Sequence, residues 1–353
     1  KILGLNQHVD SLERMNRHMS ESVESFHLQQ VAPLPKEEGP ILVQTADGKG
    51  VPIRRSADAP PIETHKSKSG PKPGAKRMAT LGSVYSIAPH VRQPKEVVES
   101  LFRQPGEPRE KTERPRPQHK RVRASLDHKD SDDNEIHGGA AVFGWIADEV
   151  AARNPHGDKP VISIMDGQES LWNLRDAFQE DVPMIDILDL LHVTPRLWEA
   201  AHLFHSPGSP MAEQFVRQRL LRVLKGEVSS VIVGLRRLTT THNLRGTKRE
   251  KIDKIVNYFV NTQHRMRYDE YLAAGYPIAS GVIEGACRHV VKDRLERTGM
   301  TWTVPGAQAM LSLRCIDLSE LWDEFTNFRV QSETGRLYPY RSTLAEMQWT
   351  LAT

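Results

Sequence analysis

Two aspartates in this chain occupy the same kind of position, directly after a short apolar run and directly before a glycine. Asp47 follows the run 41–46, and Asp166 follows the run 161–165. In an open α/β sheet, neighbouring strands deliver such residues side by side, and the glycine leaves room for a ligand or substrate to approach the backbone. Mg²⁺ is typically held by one or two carboxylates with water and substrate phosphates. The pair indicates a phosphoryl-transfer metal site, and a plain turn is the alternative for each motif alone.

A third carboxylate, Glu284, lies in the stretch 281–297, whose spacing predicts a helix with Ser280 as its N-cap. Three- and four-residue spacing places Glu284 on one stripe with Arg288 and Lys292. One interpretation is an intrahelical salt bridge between Glu284 and Arg288, worth about 0.3 kcal/mol. The other is that Glu284 completes a metal site while the two basic residues hold flanking phosphates.

Two tryptophans and a cysteine lie near these carboxylates in the sequence. Trp172 and Trp302 could stack on splayed bases, although single tryptophans are more often core anchors. Cys287 follows Glu284 by one helical turn. It is interpreted as a small packing residue, because no matching base for a thiol nucleophile is evident.

The elements that must position these residues alternate between strands and helices in the first half of the chain. Strands or extended runs are predicted at 41–46, 78–88, 160–165 and 184–191, and helices at 5–30, 94–103, 137–153 and 171–178. From 195 to about 276 the apolar spacing is helical throughout. This alternation predicts an α/β fold with a mostly helical second half.

Length and composition exclude several classes of protein. A chain of 353 residues suggests two domains or one large domain with an insertion, and 38% hydrophobic residues exclude wholesale disorder. The longest nearly apolar stretch, 138–147, is ten residues, far short of the roughly 20 that a membrane-spanning helix needs. Only two cysteines are present, which favours a reducing compartment.

The net charge is only +3, but the basic residues are unevenly distributed. The stretches 54–77, 103–123 and 217–254 hold seven, eight and eleven basic residues against two, three and three acidic ones. The first two are rich in Pro and predict mobile loops, whereas the third has helical spacing. Three such tracts favour nucleic acid as a partner over a merely solvated surface.

Four stretches together carry a resemblance to a known family. They are TADGKGVP at 45–52, KRVRAS at 120–125, IMDGQESLW at 164–172 and YPIASGVIEGACRH at 276–289. In these stretches the chain resembles bacterial insertion-sequence transposases of the ISKra type, which are related to the Mutator-like transposase superfamily. The family is of the DDE class, in which two aspartates and one glutamate bind two divalent metal ions.

The resemblance implies an α/β fold: a ribonuclease-H-like mixed sheet flanked by helices and interrupted by an all-α insertion domain. The 118 residues between Asp166 and Glu284 leave room for such an insertion. The predicted organisation is an N-terminal helical segment at 1–38, a first part of the catalytic core at 39–194, the helical insertion at 195–275 and a final segment at 276–353. Basic loops are predicted within the core at 55–77 and 104–135.

The resemblance also assigns roles to individual residues. Asp47, Asp166 and Glu284 are implied as catalytic metal ligands for two Mg²⁺ or Mn²⁺ ions, with Asp47 bridging. The predicted DNA contacts are basic side chains and one tryptophan: Lys49, Lys120, Arg121, Arg288, Lys292, Arg297 and Trp302.

The tetrapeptide from Asp189 to His192 is similar to the Cys/Asp-x-x-His motif of Mutator-related transposases. In that context both residues are predicted to support the metal ligands from behind or to contact DNA. Without it, His192 is a core or helix-cap histidine.

The implied activity is metal-dependent DNA strand cleavage and strand transfer of an insertion sequence. Its partners would be DNA ends and target DNA, and the active species a homo-oligomer in the bacterial cytoplasm, associated with the nucleoid, without a membrane. Because the sequence starts at Lys1, an end-specific DNA-binding domain is expected upstream.

Three rival functions stay open. A ribonuclease-H-like nuclease or Holliday-junction resolvase would use the same metal site without strand transfer. An inactive, transposase-derived DNA-binding protein would use only the basic surface. A carboxylate-pair glycosidase is a weaker option, since it would not explain the three basic tracts.

Overall fold

A computed structural model of the protein describes residues 8–54, 76–103, 114–130, 133–296 and 299–339. Arg297, a predicted DNA contact, lies outside the described residues, as do most of the predicted basic loop 55–77 and residues 104–113 and 131–132 of the second.

The strands are β1 Ile41–Pro52, β2 Lys76–Ile87, β3 Gln118–Leu126, β4 His128–Lys129, β5 Glu135–Ile136, β6 Val161–Met165 and β7 Met184–Leu188. The helices before the last strand are α1 Val9–Ser20, α2 Val23–Leu28, α3 Pro94–Leu101, α4 Gly138–Arg153 and α5 Glu169–Gln179. Those after it are α6 Leu190–Phe204, α7 Pro210–Leu224, α8 Val228–Thr241, α9 Gly246–Thr262, α10 Tyr268–Ala273, α11 Gly281–Ala286, α12 Asp293–Leu295, α13 Val304–Leu318 and α14 Trp322–Leu337.

Five strands form one mixed sheet in the order β3-β2-β1-β6-β7. β1, β2 and β3 pair antiparallel, whereas β1, β6 and β7 run parallel. All five residues of β6 are buried, as expected of a strand covered by helices on both faces. The predicted α/β class is therefore confirmed as a mixed five-stranded sheet flanked by helices.

Helices cover the two faces of this sheet with different parts of the chain. On one face, α4 and α5 contribute Phe143 and Trp172 to a core cluster with Leu42 and Val84. On the other face, Val43 and its neighbours pack against the helices α6 to α10. The residues that follow α10 cover the β1–β3 part of that second face. The sheet thus lies between two helical layers.

A continuous series of helices, α6 to α10, separates β7 from α11 in the chain. We call it the helical segment. Its apolar side chains, such as Leu220, Leu235 and Phe259, share one buried cluster with Ile162 and Ile187 of the sheet. The segment therefore packs directly on the strands that carry Asp166 and Asp189.

Three elements differ from the sequence prediction. β1 does not end before Asp47 but continues to Pro52, because antiparallel pairing with β2 extends through Asp47 opposite Leu81. β3 occupies 118–126, inside the stretch 104–135 predicted as a loop. There, Val122, Ala124, Ser125 and Leu126 are buried and Arg121 and Arg123 are partly exposed, and these two basic residues had obscured the two-residue period of the apolar side chains.

The predicted helix 281–297 is also not a regular α-helix. Gly281–Ala286 is α-helical, Cys287–Lys292 is a π-helix, and Asp293–Leu295 is α-helical again. Segments of π-helix often occur at functional sites. None of the described helices combines the length and the apolarity needed to cross a bilayer.

Candidate active site

The pairing register brings three aspartates to one level of the sheet. β1 and β6 pair in parallel up to Thr45 opposite Ile164, so Asp47 and Asp166 both follow two residues later. The backbone N–H of Asp189, directly after β7, donates to the carbonyl of the residue before Asp166, at 2.9 Å. Three neighbouring parallel strands therefore each present an aspartate at or beyond their paired carboxyl ends, where ligands bind in open α/β sheets.

Glu284 lies on α11, in the helical layer that covers this face of the sheet, and its carboxylate interacts with the charges of these aspartates. The negative charges of Asp189 and Asp47 both raise its pKa, after burial as the main cause. We call Asp47, Asp166, Asp189 and Glu284 the carboxylate cluster. The charges of Asp47 and Asp189 thus act on both Asp166 and Glu284.

Asp47 is half-buried and accepts two hydrogen bonds. The backbone N–H of Gly48 donates to its Oδ1 at 2.7 Å, and the Cys287 thiol donates to its Oδ2 at 3.2 Å. Burial and the Asp47 charge raise the pKa of that thiol. Cys287 therefore stays protonated and packs as a donor to Asp47, in keeping with the absence of a nucleophilic role.

Asp166 lies at the end of β6, where a short turn leads into α5. The Gln168 N–H donates to its Oδ1 at 2.8 Å, and the Trp172 indole donates to its backbone carbonyl at 2.7 Å. Trp172 is thus a buried anchor of this turn. Burial raises the pKa of Asp166, and the charges of Asp47 and Asp189 add to the increase.

Asp189 is fully buried and caps the N-terminus of α6. Its Oδ1 accepts the Leu191 N–H at 2.9 Å, and its Oδ2 accepts a hydrogen bond from the Ser280 hydroxyl. Ser280 stands at the predicted N-cap position of α11, but its side chain makes no capping hydrogen bond there. Instead, it ties the start of the Glu284 helix to the end of β7.

His192 acts electrostatically on three members of the carboxylate cluster. When it is protonated, its positive charge lowers the pKa of Asp166, Asp189 and Glu284. Its backbone N–H donates to the Asp189 carbonyl at 3.0 Å, within the first turn of α6. The tetrapeptide from Asp189 to His192 is therefore the turn that carries both side chains to the site.

The Glu284–Arg288 salt bridge considered in the sequence is absent among the described residues. The Arg288 Nε lies 4.0 Å from the Asp293 carboxylate instead, because the π-helix alters the spacing after Ala286. The positive charge of Lys292 lowers the pKa of Glu284 but does not offset the increase. Glu284, Arg288 and Lys292 are all exposed.

The donor chemistry of the carboxylate cluster fits a divalent cation. Carboxylate oxygens are the ligands that Mg²⁺ prefers, and a bound cation would relieve the mutual repulsion that raises the pKa values of Asp166 and Glu284. Across the described ranges, no group of three or more His, Cys, Asp or Glu side chains is placed so that it could hold a metal ion. The residue types fit the ion, whereas their present positions are not those of an assembled site.

Tyr258 of α9 covers the backbone beside Asp166. No pattern in the sequence singled out this residue. A Cβ added at Gly167 would lie 2.4 Å from the ring Cε2 and 2.9 Å from the phenol oxygen. The space that the sequence suggested for a ligand at Gly167 is therefore filled by a tyrosine of the helical segment. Helical spacing alone cannot reveal a contact between residues this distant in sequence.

Three of the predicted DNA contacts, Lys49, Lys120 and Arg121, lie in two different places. Lys49 is half-buried on β1, two residues beyond Asp47. Lys120 and Arg121 line a cleft of about 830 Å³ that also borders Gly281 and Gly285 of α11. Glu284 does not line that cleft, so the cleft is a surface separate from the carboxylate cluster.

Trp302 is held within the fold. Its indole donates to the Leu295 carbonyl at 3.1 Å, its backbone N–H donates to the Pro52 carbonyl at 3.0 Å, and its ring packs against the buried cluster over β1–β3. The structure therefore gives Trp302 the core-anchor role that the sequence left as the alternative to base stacking.

No protein-family model matches this chain, and no curated protein matches it either. Among solved structures, the chain is similar to one in the Drosophila P element transposase strand transfer complex. The identity is 11%, the match covers 86% of this chain and 68% of that chain, and the TM-score is 0.25. A likeness at this TM-score carries no argument about fold or activity.

Proposed function

We propose that this protein is a DDE transposase that cleaves DNA strands and joins the freed 3′ ends to a target. In this proposal, the mixed sheet is a ribonuclease-H-like core and the helical segment is its insertion domain. The observation that supports the proposal is the carboxylate cluster, in which the charge of Asp47 raises the pKa of both Asp166 and Glu284 although 118 residues separate those two in the chain.

The chemistry requires two in-line displacements at phosphorus. Water first attacks the scissile phosphodiester and the 3′ oxygen leaves; the resulting 3′-hydroxyl then attacks a target phosphodiester and displaces its own leaving oxygen. Asp47, Asp166 and Glu284 would hold two Mg²⁺ or Mn²⁺ ions, whose chemistry when bound is activation of the attacking oxygen and neutralisation of the leaving oxygen. No covalent intermediate with the protein is required.

The surrounding residues keep the carboxylates in place and tune their charge. Asp189 positions both α6 and the Glu284 helix through its two hydrogen-bonded oxygens. His192, when it is protonated, favours ionised Asp166 and Glu284. The positioning by Asp189 and the charge of His192 are roles of residues that support the metal ligands, which is what the sequence motif predicts.

DNA would approach from the exposed side of the Glu284 helix. Arg288 and Lys292 are exposed on that helix, beside the carboxylates, and can hold phosphates next to the scissile bond. The basic tracts add sequence-independent, salt-sensitive affinity. We expect the active species to be a multimer that holds two DNA ends.

The test is Asp166→Asn, compared with Asp181→Asn on the exposed turn after α5. We expect Asp166→Asn to keep DNA binding and to lose strand cleavage in Mg²⁺ by about 100- to 1,000-fold. Asp181→Asn, an identical charge change, should cleave at the wild-type rate. Retained cleavage in Asp166→Asn would contradict the proposed site.

The products of the same reaction separate a transposase from a nuclease or resolvase. A transposase must yield molecules in which the donor 3′ end is covalently joined to target DNA. A wild-type protein that cleaves but never joins would identify a ribonuclease-H-like nuclease. A protein that binds DNA but neither cleaves nor joins would be the inactive, transposase-derived DNA-binding protein.

A further inference from the structure

The helical segment reaches the carboxylate cluster through one aromatic side chain. Tyr258 of α9 lies with its ring over Gly167. A Cβ added at Gly167 would lie within 2.9 Å of three tyrosine atoms, namely Cε2, Cζ and the phenol oxygen. Gly167 directly follows Asp166, and the Asp166 charge raises the pKa of Tyr258. The phenol therefore lies in the electrostatic field of the proposed metal ligand.

A guanidinium also contacts the Tyr258 ring. The Arg196 Cζ lies 5.2 Å from the Tyr258 ring centroid, within the range of a cation–π contact. Arg196 is anchored by Glu199, at 3.1 Å, and its side chain remains 44% exposed. The charges of Arg196 and Asp166 thus both act on the Tyr258 phenol.

Two nearby tyrosines show what a purely structural phenol does in this fold. Tyr268 donates its hydroxyl to the Leu188 carbonyl at 2.6 Å, and Tyr271 donates to the Asp186 carbonyl at 2.9 Å. Both tie α10 to β7. The Tyr258 oxygen, in contrast, accepts a hydrogen bond from the Gly167 backbone N–H, and its O–H donates to no residue in the described ranges.

The protonation state of Tyr258 suits a donor. Burial raises its pKa to about 12, and the Asp166 charge adds to that increase despite the opposing charge of Arg196. The phenol therefore keeps its proton at neutral pH. A half-buried O–H without a described acceptor, placed beside the proposed metal ligand, is available to an oxygen of the substrate.

We propose that Tyr258 is a substrate-contacting residue of the helical segment, whose O–H donates to a non-bridging oxygen of the phosphodiester held beside Asp166. Arg196 keeps the ring in place and adds positive charge near the same phosphate. The inference rests on the proposed function, because it needs a phosphodiester at the carboxylate cluster. It gives the helical segment a direct part in the reaction in addition to its packing on the sheet.

The experiment compares single-turnover strand cleavage by Tyr258→Phe, Tyr258→Ala and wild type, each at saturating DNA. Tyr258→Phe keeps the ring over Gly167 and removes only the O–H. We expect it to lower the cleavage rate about 10- to 100-fold while DNA affinity and melting temperature stay unchanged. Tyr271→Phe is the matched control, because it also removes one phenol O–H, but from a hydroxyl bound to β7.

A phosphorothioate at the scissile phosphate locates the contact. Sulfur is a poor hydrogen-bond acceptor, so for one of the two diastereomers Tyr258→Phe should slow cleavage much less than it does for the natural phosphodiester. Both proteins are compared on the same thio-substrate, so effects of sulfur on metal binding cancel.

The outcomes separate this inference from the proposed function. If wild type cleaves and Tyr258→Phe cleaves at the same rate, Tyr258 is a packing residue and the inference is wrong, while the proposed function stands. An equal loss on the phosphodiester and both diastereomers would also overturn the contact. If wild type cleaves no DNA strand, the proposed function fails and the inference fails with it.

Discussion

Charged side chains gather at both ends of the parallel strands, but the charges balance one another at only one of these ends. Near the starts of β1 and β6, Glu38, Arg153 and Lys159 form a group that we call the ion-pair cluster. The side chains of Glu38 and Arg153 are fully buried and paired, and Lys159 binds the other Glu38 oxygen. Arg153 also donates to the His119 carbonyl at 3.0 Å.

At the opposite ends of these strands, the carboxylate cluster gathers charges of one sign. Burial and the neighbouring aspartates raise the pKa values of Asp166 and Glu284, and Lys292 offsets only part of the increase at Glu284. Such an arrangement costs stability in the free protein. Perturbed carboxylates gathered without matching cations are typical of functional sites, whereas opposite charges that satisfy each other hold a fold together.

The comparison predicts the largest loss of stability for Arg153→Met. The substitution leaves Glu38 buried with only Lys159 as a partner, and breaking a buried pair costs about 3–5 kcal/mol. The free energy of unfolding in urea measures it. Arg249→Met is the control, since Arg249 pairs with Asp253 on the surface at 2.9 Å and should cost less than about 1 kcal/mol. Equal losses in both variants would contradict the role of burial.

A second prediction concerns close packing at the carboxylate cluster. Gly167→Ala places a Cβ 2.4 Å from the Tyr258 ring, and such overpacking costs about 1–3 kcal/mol of unfolding free energy. In a Tyr258→Ala background the same substitution should cost almost nothing, because the obstructing ring is gone. Gly234→Ala on α8 meets no atom within 4 Å and should be neutral or stabilising by about 0.5 kcal/mol. A Gly167→Ala cost that persists without the ring would contradict the contact.

A third prediction contrasts the same charge removal at the two clusters. The folded state raises the pKa of Asp166 above its ordinary value of 3.8, so its ionised form destabilises the fold at neutral pH. Asp166→Asn should therefore melt at a higher temperature than wild type at pH 7. This advantage should shrink as the pH falls towards 4, because wild-type Asp166 then becomes protonated.

Glu38→Gln is the counterpart, and it should melt at a lower temperature than wild type at pH 7, because Arg153 and Lys159 lose their shared carboxylate. Mg²⁺ should raise the melting temperature of wild type more than that of Asp166→Asn. Asp166→Asn melting below wild type at pH 7 would show that the carboxylate cluster is not electrostatically strained.

The smallest expected effect concerns DNA affinity. Lys292→Ala removes one exposed cation beside Glu284, and the slope of log K against log salt should become shallower by about 0.9. Affinity should fall a few-fold for all DNA sequences alike. Lys95→Ala, on the exposed surface of α3, should leave the slope unchanged. An identical slope in both variants would remove Lys292 from the DNA-binding surface.

The sequence predicted those elements whose signals are local. The helix predicted at 94–103 is Pro94–Leu101, with a capping box formed by Gln93 and Glu96, and the helix predicted at 137–153 is Gly138–Arg153. The continuous apolar run 161–165 is a buried strand. In each case the cap, the proline or the apolar period lies within the element itself.

Elements whose form depends on distant partners were predicted less well. β1 runs past Asp47 because β2 pairs with it there, and β3 was hidden because its outward positions are basic. The Ser280 hydroxyl was expected to cap α11 but binds Asp189, 91 residues earlier in the chain. No local pattern records such contacts.

The sequence by itself determined which carboxylates are candidates and that an apolar run precedes two of them, because residue type and apolar period are local properties. Only the tertiary structure decided that Asp47, Asp166, Asp189 and Glu284 share one electrostatic neighbourhood, because strand register and helix packing join residues far apart in the chain. The same packing placed Tyr258 over Gly167. Distant contacts of this kind are formed by burial of the whole core, which no single stretch of sequence encodes.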